Sequence, residues 1–596
     1  MIQGNSSYGA LNVNDATIKT LTNSGTISNN SNQGVNIADG ATIETFNNSG
    51  TIKGANSGIF VSSNIKTLKN SGTIIANGNQ ETDAGIKLES GGTIDNIINT
   101  GTISSNASGI AVSYGKFGTL FIKDGGIVYG KESGIEVGQW QRLGDLYING
   151  GKNSKKDATV SGVYGGKYGI YLGIGSSTQK IELSNGGVIQ GGINGIRLRN
   201  SASLSGDMVL SGEGSMVKGG SGAAISNESG KISGSITIKD GATIGSDSGK
   251  AIENSGSGTV TGGITISGSN TKIEGDIVNT DNGSIGGDIK IERGAQVEGG
   301  ITNTGNGSIT GSIVVEEGGK LDSITNTSTS DTGISGSITN NSDNNLEISN
   351  GEGATIGSGI INSSTGTIFV NNQGTIDKDS SGNNLTNNGS GSIVIEDWLV
   401  TSDESGNLDT IVVGGNGSGN VSADNITIDE ANLDLDNLDD ISDVISGIDK
   451  GNVSNITTNG SGDINLIYDP TTGKIYQSFN LNASISGATF RSLVSTTTRR
   501  STFIDNVMGN SMQSFYLSSS SRAQRMAMQE KGNLYSDASD YIKSDFKNAS
   551  YGMNKEHSLF ILPYTSSQNV ELSLNEESKG HTKGTIIGYS TLKDSG

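Results

Sequence analysis

The sequence predicts an all-β protein built as a parallel β-helix, and three observations carry that expectation. A phrase containing Asn-Ser-Gly-Thr-Ile returns about every 24 residues, at Thr20 to Ile27, Thr45 to Ile52 and Thr67 to Ile74, and in looser form at Ile97 to Ile103. A second phrase interleaves with it: Gly34-Val35-Asn36-Ile37, Gly58-Ile59-Phe60-Val61, Gly85-Ile86-Lys87-Leu88, and onward to Gly195-Ile196-Arg197-Leu198. Third, each period holds three short apolar pulses separated by Gly, Asn and Ser, which supply positive φ and side-chain-to-backbone turns.

The strands follow in order from this pattern. In one period they fall around Ile43 to Phe46, at Thr51-Ile52, and at Ile59 to Val61. In the second phrase the flanking residues are Ile, Val or Leu, while the centre varies among Asn, Phe, Lys, Ala, Glu, Tyr and Arg. Strand side chains alternate faces, so the aliphatic pair points inward and the variable centre outward. Stacked coils then carry an aliphatic column inside and Asn and Thr ladders at the corners. The wording changes in the middle of the chain, at Ser235 to Ile238, Gly263 to Ile266, Asp288 to Ile291 and Ser312 to Val315, but the logic holds. Coils of this size from residue 1 to 430 would number about 18 and form a rod on the order of 85 Å long.

Composition agrees. Only 31% of the 596 residues are hydrophobic, which a solenoid tolerates because its core is a narrow column. Pro470 and Pro563 are the only prolines, as expected where most backbone amides pair in ladders. There is no cysteine. A net charge of −21 argues against nucleic acid as a partner. Met1-Ile2-Gln3-Gly4 does not read as an export signal, and no apolar run is long enough for a membrane helix.

After about residue 400 the character shifts. Ser392 to Trp398 and Ile411 to Val413 read as final coils. Leu433 to Ile448 alternates aliphatic residues with Asp434, Asp436, Asp439, Asp440 and Asp443; it lacks the spacing of a calcium loop and reads as an amphipathic cap with a solvated face. Phe503, Val507, Met508, Met512 and Phe515 recur at helical spacing. Ser558 to Tyr564 and Thr582 to Ser590 read as strands.

This order of parts resembles the monomeric autotransporters of Gram-negative bacteria. Leu559 to Tyr564 is similar to the segment ending in Pro-Tyr that opens the family's outer-membrane barrel, and Gly580 to Ser590 to its second strand. The resemblance implies a β-helical passenger at 1–430, a cap or folding-assisting junction at 431–490, a helical linker at 491–550, and the first strands of an incomplete barrel at 551–596. It further implies display at the cell surface, with the outer membrane reached through a barrel mostly missing here. Barrels need at least eight strands of about 9–11 residues, so the chain is expected to be a fragment or an interrupted gene.

Chemistry is constrained by absence. His557 and His581 are the only histidines, so Ser-His-Asp and Cys-His mechanisms have no base in the rod. No enzymatic activity, cofactor or metal is expected, although a carboxylate-only lyase or hydrolase using Asp276, Asp288, Glu292 and Glu298 is the alternative, with a cytotoxin passenger as another. The sharper local signal is aromatic. Tyr114, Phe117, Phe121, Tyr129, Trp140, Tyr147, Tyr164, Tyr168 and Tyr171 crowd together, whereas the rest of the first 390 residues holds only Tyr8, Phe46, Phe60 and Phe369. Aligning Leu120-Phe121-Ile122 with Leu146-Tyr147-Ile148 puts Phe121 and Tyr147 outward, one coil apart, and Tyr171 is outward as a variable centre. With Trp140, Arg142, Lys123 and Lys131 nearby, these residues form the candidate binding surface, suited to sugar rings or a protein partner, unless a side loop folds over them. The expected function is an adhesin or self-association factor. Its partner would be a host-cell surface protein or glycan, or neighbouring passengers of the same kind, and not nucleic acid.

Overall fold

The computed structural model describes residues 1–5, 8–38, 40–151, 160–460 and 464–479, the strands Ala549–Ser550, His557–Leu572 and Glu576–Thr591, and a few isolated positions between them. It is an all-β chain with a parallel β-solenoid of about 17 turns. The chain divides into two units, one of Met1–Leu399, Ile411–Asp424 and Ile445–Asn452, the other of Val400–Thr410, Asn425–Val444 and Val453–Gly596.

In the first unit each early coil contributes three strands. Those of the coil around residue 60 are Thr42–Asn48, Thr51–Gly54 and Ser57–Val61, followed by Asn64–Asn70, which pairs in parallel with Thr42–Asn48. Stacking sorts the strands into three columns. The first column holds Thr26–Asn29, Thr51–Gly54 and Thr73–Ala76. The second holds Val35–Ala38, Ser57–Val61 and Ala84–Leu88, and the third Thr17–Asn23, Thr42–Asn48 and Asn64–Asn70. The phrase ending in Asn-Ser-Gly-Thr-Ile is therefore the corner from third to first column, and the Gly-apolar-x-apolar phrase is the second column.

Three inward positions hold the coils in register. In the first column Ile27, Ile52, Ile74, Ile103, Val128, Val163, Ile189, Val217, Ile244, Ile273, Val297 and Leu321 stack in sequence, each buried. Burying each such side chain is worth roughly 1.5–3 kcal/mol. The end of the third column carries Asn23, Asn48, Asn70 and Asn99, then changes at Ile122 to aliphatic residues through Val315, and returns to Asn340, Asn362 and Asn387. The second column behaves in the opposite way. It is aliphatic from Val61 to Leu198, then reads Asn227, Asn254, Asn279, Asn303, Asn326, Asn350 and Asn372, and ends on the indole of Trp398.

These asparagines form buried amide ladders. Within the runs Asn23 to Asn99 and Asn227 to Asn372 each Nδ2 but the last donates to the Oδ1 one coil on, at 2.8 Å from Asn23 to Asn48, 2.7 Å from Asn48 to Asn70, and 2.8 Å from Asn254 to Asn279 and from Asn279 to Asn303. The same Nδ2 of Asn279 also donates to the carbonyls of Gly283 and Ser308, so the side chain closes its corner as well as linking coils. At the first ladder the neighbouring glycines stack so closely that a Cβ on Gly50 would lie 2.0 Å from the Gly25 carbonyl oxygen. Only glycine fits there.

From Thr243 onward the first and second columns fuse into single long strands, Thr243–Ser255, Lys272–Asn279, Gln296–Gly305 and Lys320–Ser328. The pairing of the first two slips between Gly245 and Lys250 and again before Ile252, which accommodates the lost corner. Parallel pairing runs past residue 430, since Ile411–Gly414 pairs with Ile445–Ser446.

In the second unit Ile426–Ile428 pairs in parallel with Ile456–Thr458, and Ile464–Tyr468 forms an antiparallel hairpin with Ile475–Phe479. The acidic segment buries Leu438, Ile441 and Val444 and turns its carboxylates to its own backbone. Asp443 Oδ2 accepts from the amides of Asp439 and Asp440, and Asp434 from that of Asp436. The carboxylates build turns. His557–Leu572 and Glu576–Thr591 make a long antiparallel pair. The helical linker expected over 491–550 falls almost wholly outside the described residues.

Because one ladder amide serves four hydrogen bonds, Asn279→Ala leaves the buried Asn303 Oδ1 without its donor and removes one bond each from Asn254 Nδ2 and the carbonyls of Gly283 and Ser308. The orphaned acceptor alone costs about 1–3 kcal/mol. The expected result is a clear loss of thermal stability by calorimetry, larger than that of an outward substitution such as Thr302→Ala.

Candidate binding surface

Outward side chains of a solenoid are free of the packing that fixes the inward ones, so clustering there calls for its own explanation. Between residues 114 and 199 the chain carries eleven Lys and Arg against six Asp and Glu, inside a sequence whose net charge is −21. The same stretch carries nine of the fourteen aromatic residues in the first 400 positions. The structure distributes these aromatics over all three faces and one corner.

On the third face Phe121 and Tyr147 are in register and stack, ring centroids 5.1 Å apart and planes 12° from parallel. Ile98 extends the stripe on one side. On the other, Lys180 places its Nζ 5.4 Å from the Tyr147 ring centre while pairing with Glu182 at 2.6 Å. The hydrogen bond that Lys180 donates to Glu182 holds its ammonium above its ordinary pKa. Phe121 and Tyr147 are half-buried by each other and by these neighbours, with their outer edges open. Phe117 points inward and belongs to the core.

Tyr171 lies on the second face, not beside Phe121 and Tyr147. It stands in register between Glu136 and Arg197 and stacks on Tyr168 at 5.1 Å. Arg197 lies over the Tyr168 ring, donates to its hydroxyl at 2.8 Å, and donates to Glu228 at 2.6 Å. Arg199 donates to the Tyr171 hydroxyl at 3.4 Å. The first face adds Tyr129 and Tyr164, in register, with the Tyr164 hydroxyl donating to the carbonyl of Val160.

Trp140 and Arg142 occupy the corner between second and third columns. Trp140 is 73% exposed and holds φ at +60°. Arg142 is exposed and in register with Lys116. Two residues before Lys116, at the matching corner, Tyr114 is 69% exposed. The five sequence-predicted residues thus fall on two faces and a corner of one aromatic belt. Sequence reasoning counted Tyr114 and Tyr168 in the aromatic crowd without placing them on the candidate surface, and missed Arg197, Lys116 and Lys180. The signal for Tyr168 was present, because it replaces Ser108 and Ser133 in a column of otherwise small residues.

Carboxylates proposed for sugar cleavage are engaged elsewhere. Asp276 accepts from the Gly300 amide, Asp288 from the Ser312 amide while pairing with Lys290, Glu292 pairs with Arg293, and Glu298 with Lys272. The Ser312 amide keeps Asp288 below its ordinary pKa, the reverse of what a general acid needs. Glu136 is the contrast. Burial raises its pKa, Glu81 and Glu132 push the same way, and only the 2.5 Å hydrogen bond from the Ser108 hydroxyl opposes them. Among the described residues no group of His, Cys, Asp and Glu is placed to hold a metal ion.

Compared with protein-family models and with curated proteins, the chain matches none.

Glu136 yields a pH test. Its folded pKa is raised, so its contribution to stability is fullest below the unfolded value of about 4.3 and is lost as pH rises through the folded value. Glu136→Gln keeps an acceptor for the Ser108 hydroxyl and removes the half-buried charge. The variant should melt higher than the parent at pH 7, with the difference vanishing below pH 4, as read by thermal melts across that range.

Proposed function

We propose that this chain is the passenger of a monomeric autotransporter, displayed at the cell surface, where it adheres through the aromatic belt. One observation carries the binding part of this reading. Aromatic side chains stand outward on every face between residues 114 and 199, together with eight basic against five acidic side chains among the described residues of that stretch. Core packing does not require them there. Single exposed rings next to cations are the usual currency of recognition surfaces.

The passenger part rests on the order of elements. A repetitive parallel solenoid is followed by the hairpin His557–Leu572 and Glu576–Thr591, whose strands are 16 residues each. That exceeds the roughly 9–11 residues a tilted strand needs to cross a bilayer, and it contrasts with the short strands of the solenoid. The Phe-Ile-Leu-Pro-Tyr run at Phe560 to Tyr564 sits within the first of them. The reading is of binding, spread over several coils, and not of bond cleavage.

Replacing Phe121 and Tyr147 together by Ser tests the binding reading. The stack itself is worth about 0.5–1.5 kcal/mol, so the melting temperature should fall only slightly, while attachment of the purified full chain to cultured cells should drop several-fold. A large fall in melting temperature with attachment per folded molecule unchanged would mean that the pair serves packing instead.

A further inference from the structure

Trp140 is the most strained side chain of the belt. A bulky residue at φ +60° is uncommon, because its Cβ crowds its own backbone. Among the described residues the other non-glycine positions at positive φ are Asp, Asn and Ser apart from Arg293, and Trp140 is the only aromatic one. The Trp140 amide donates to the Ile174 carbonyl at 2.9 Å, which ties the corner to the next coil. There the ring meets Gly175, where a Cβ would come within 2.3 Å of the indole. One ring face is therefore propped on bare backbone, and with the residue 73% exposed the other faces solvent. Strain of this kind persists where the surrounding structure holds it in place, and it clusters at functional sites.

The cations beside it point to the same conclusion. Lys116 and Arg142 are neighbours on adjacent parallel strands, about 4.8 Å apart along the stack, and both are exposed. No carboxylate among the described residues pairs with either. Like charges directly opposite each other destabilise a sheet, and an anion bridging the two removes that repulsion. Arg142 offers a planar fork matched to a carboxylate, and the open indole face offers a platform for the C–H face of a sugar ring.

We propose that the Tyr114–Lys116–Trp140–Arg142 corner binds an acidic polysaccharide, one whose sugars carry carboxylates, with the chain lying along the solenoid axis. The proposal rests on the belt being a binding surface and names the ligand class for one part of it. A ligand of this class satisfies both features at once: uronate carboxylates reach Lys116 and Arg142 while a ring stacks on Trp140. A neutral glycan leaves the cation pair unrelieved, and an acidic polypeptide leaves the indole without a ring to stack on.

The test uses the purified full chain with immobilised polygalacturonate, neutral dextran and poly-glutamate. Binding to polygalacturonate should exceed binding to either other polymer by at least tenfold and weaken as salt rises. Trp140→Gly suits the left-handed backbone, so its melting temperature should stay level or rise while polygalacturonate binding falls at least tenfold. The double variant Lys116→Gln with Arg142→Gln should flatten the salt dependence. Equal binding to poly-glutamate, absent binding to polygalacturonate, or undiminished binding by Trp140→Gly overturns the proposal. Cell attachment retained without polygalacturonate binding overturns this ligand class alone and leaves the adhesin reading standing.

Discussion

Register between coils is the constraint on which every other feature of this protein depends. A parallel stack of short strands has no hairpins to fix its pairing, and a slip of one residue would turn each inward side chain to solvent. Two devices prevent it here. Aliphatic columns such as Ile27 to Leu321 make any slip expose apolar surface. Buried asparagine ladders make it break several hydrogen bonds at once, in a place where water cannot replace them. The ladders are the stricter device, because an amide has direction where a methyl group has none.

The two ladders exchange corners along the chain. Asn99 ends the first, Asn227 begins the second, and in the coils between them both ladder positions are aliphatic, as at Ile122, Ile148 and Leu183 in one column and Val137, Leu172 and Leu198 in the other. Entry into the second ladder has a cost, since Asn227 Oδ1 follows Leu198 and is buried without a partner. The aromatic belt occupies the interval with no amide ladder. Its coils are aliphatic at both ladder positions, and they also hold features that work against stability. Those include the left-handed Trp140, the in-register pair Lys116 and Arg142, and the half-buried carboxylate of Glu136.

Much of this was legible beforehand. The phrases around Asn23 to Ile27 and Gly34 to Ile37 identified two of the three columns, because strand periodicity and glycine punctuation act within a few residues. That Phe121 and Tyr147 face outward in register followed from aligning two flanking Leu-x-Ile runs, and the structure adds that the rings stack. Legibility failed where contact depends on which coil lies next and how its corner turns. Tyr171 was grouped with Phe121 and Tyr147, yet the corner carrying Trp140 separates the two faces. The fusion of columns at Thr243–Ser255 has no simple sequence mark, since a lost corner looks like one more glycine-rich turn.

What the sequence by itself determined is the architecture and the inward or outward sense of each strand position, because both follow from local periodicity repeated many times. What only the tertiary structure decided is the company each outward residue keeps. Arg197 closes over Tyr168, Lys180 over Tyr147, and Gly175 lies under Trp140, across separations of about one coil that vary with corner length. The physical reason is that corner length changes from coil to coil without disturbing the inward columns. The core therefore fixes the period, and the corners alone settle which surface groups meet.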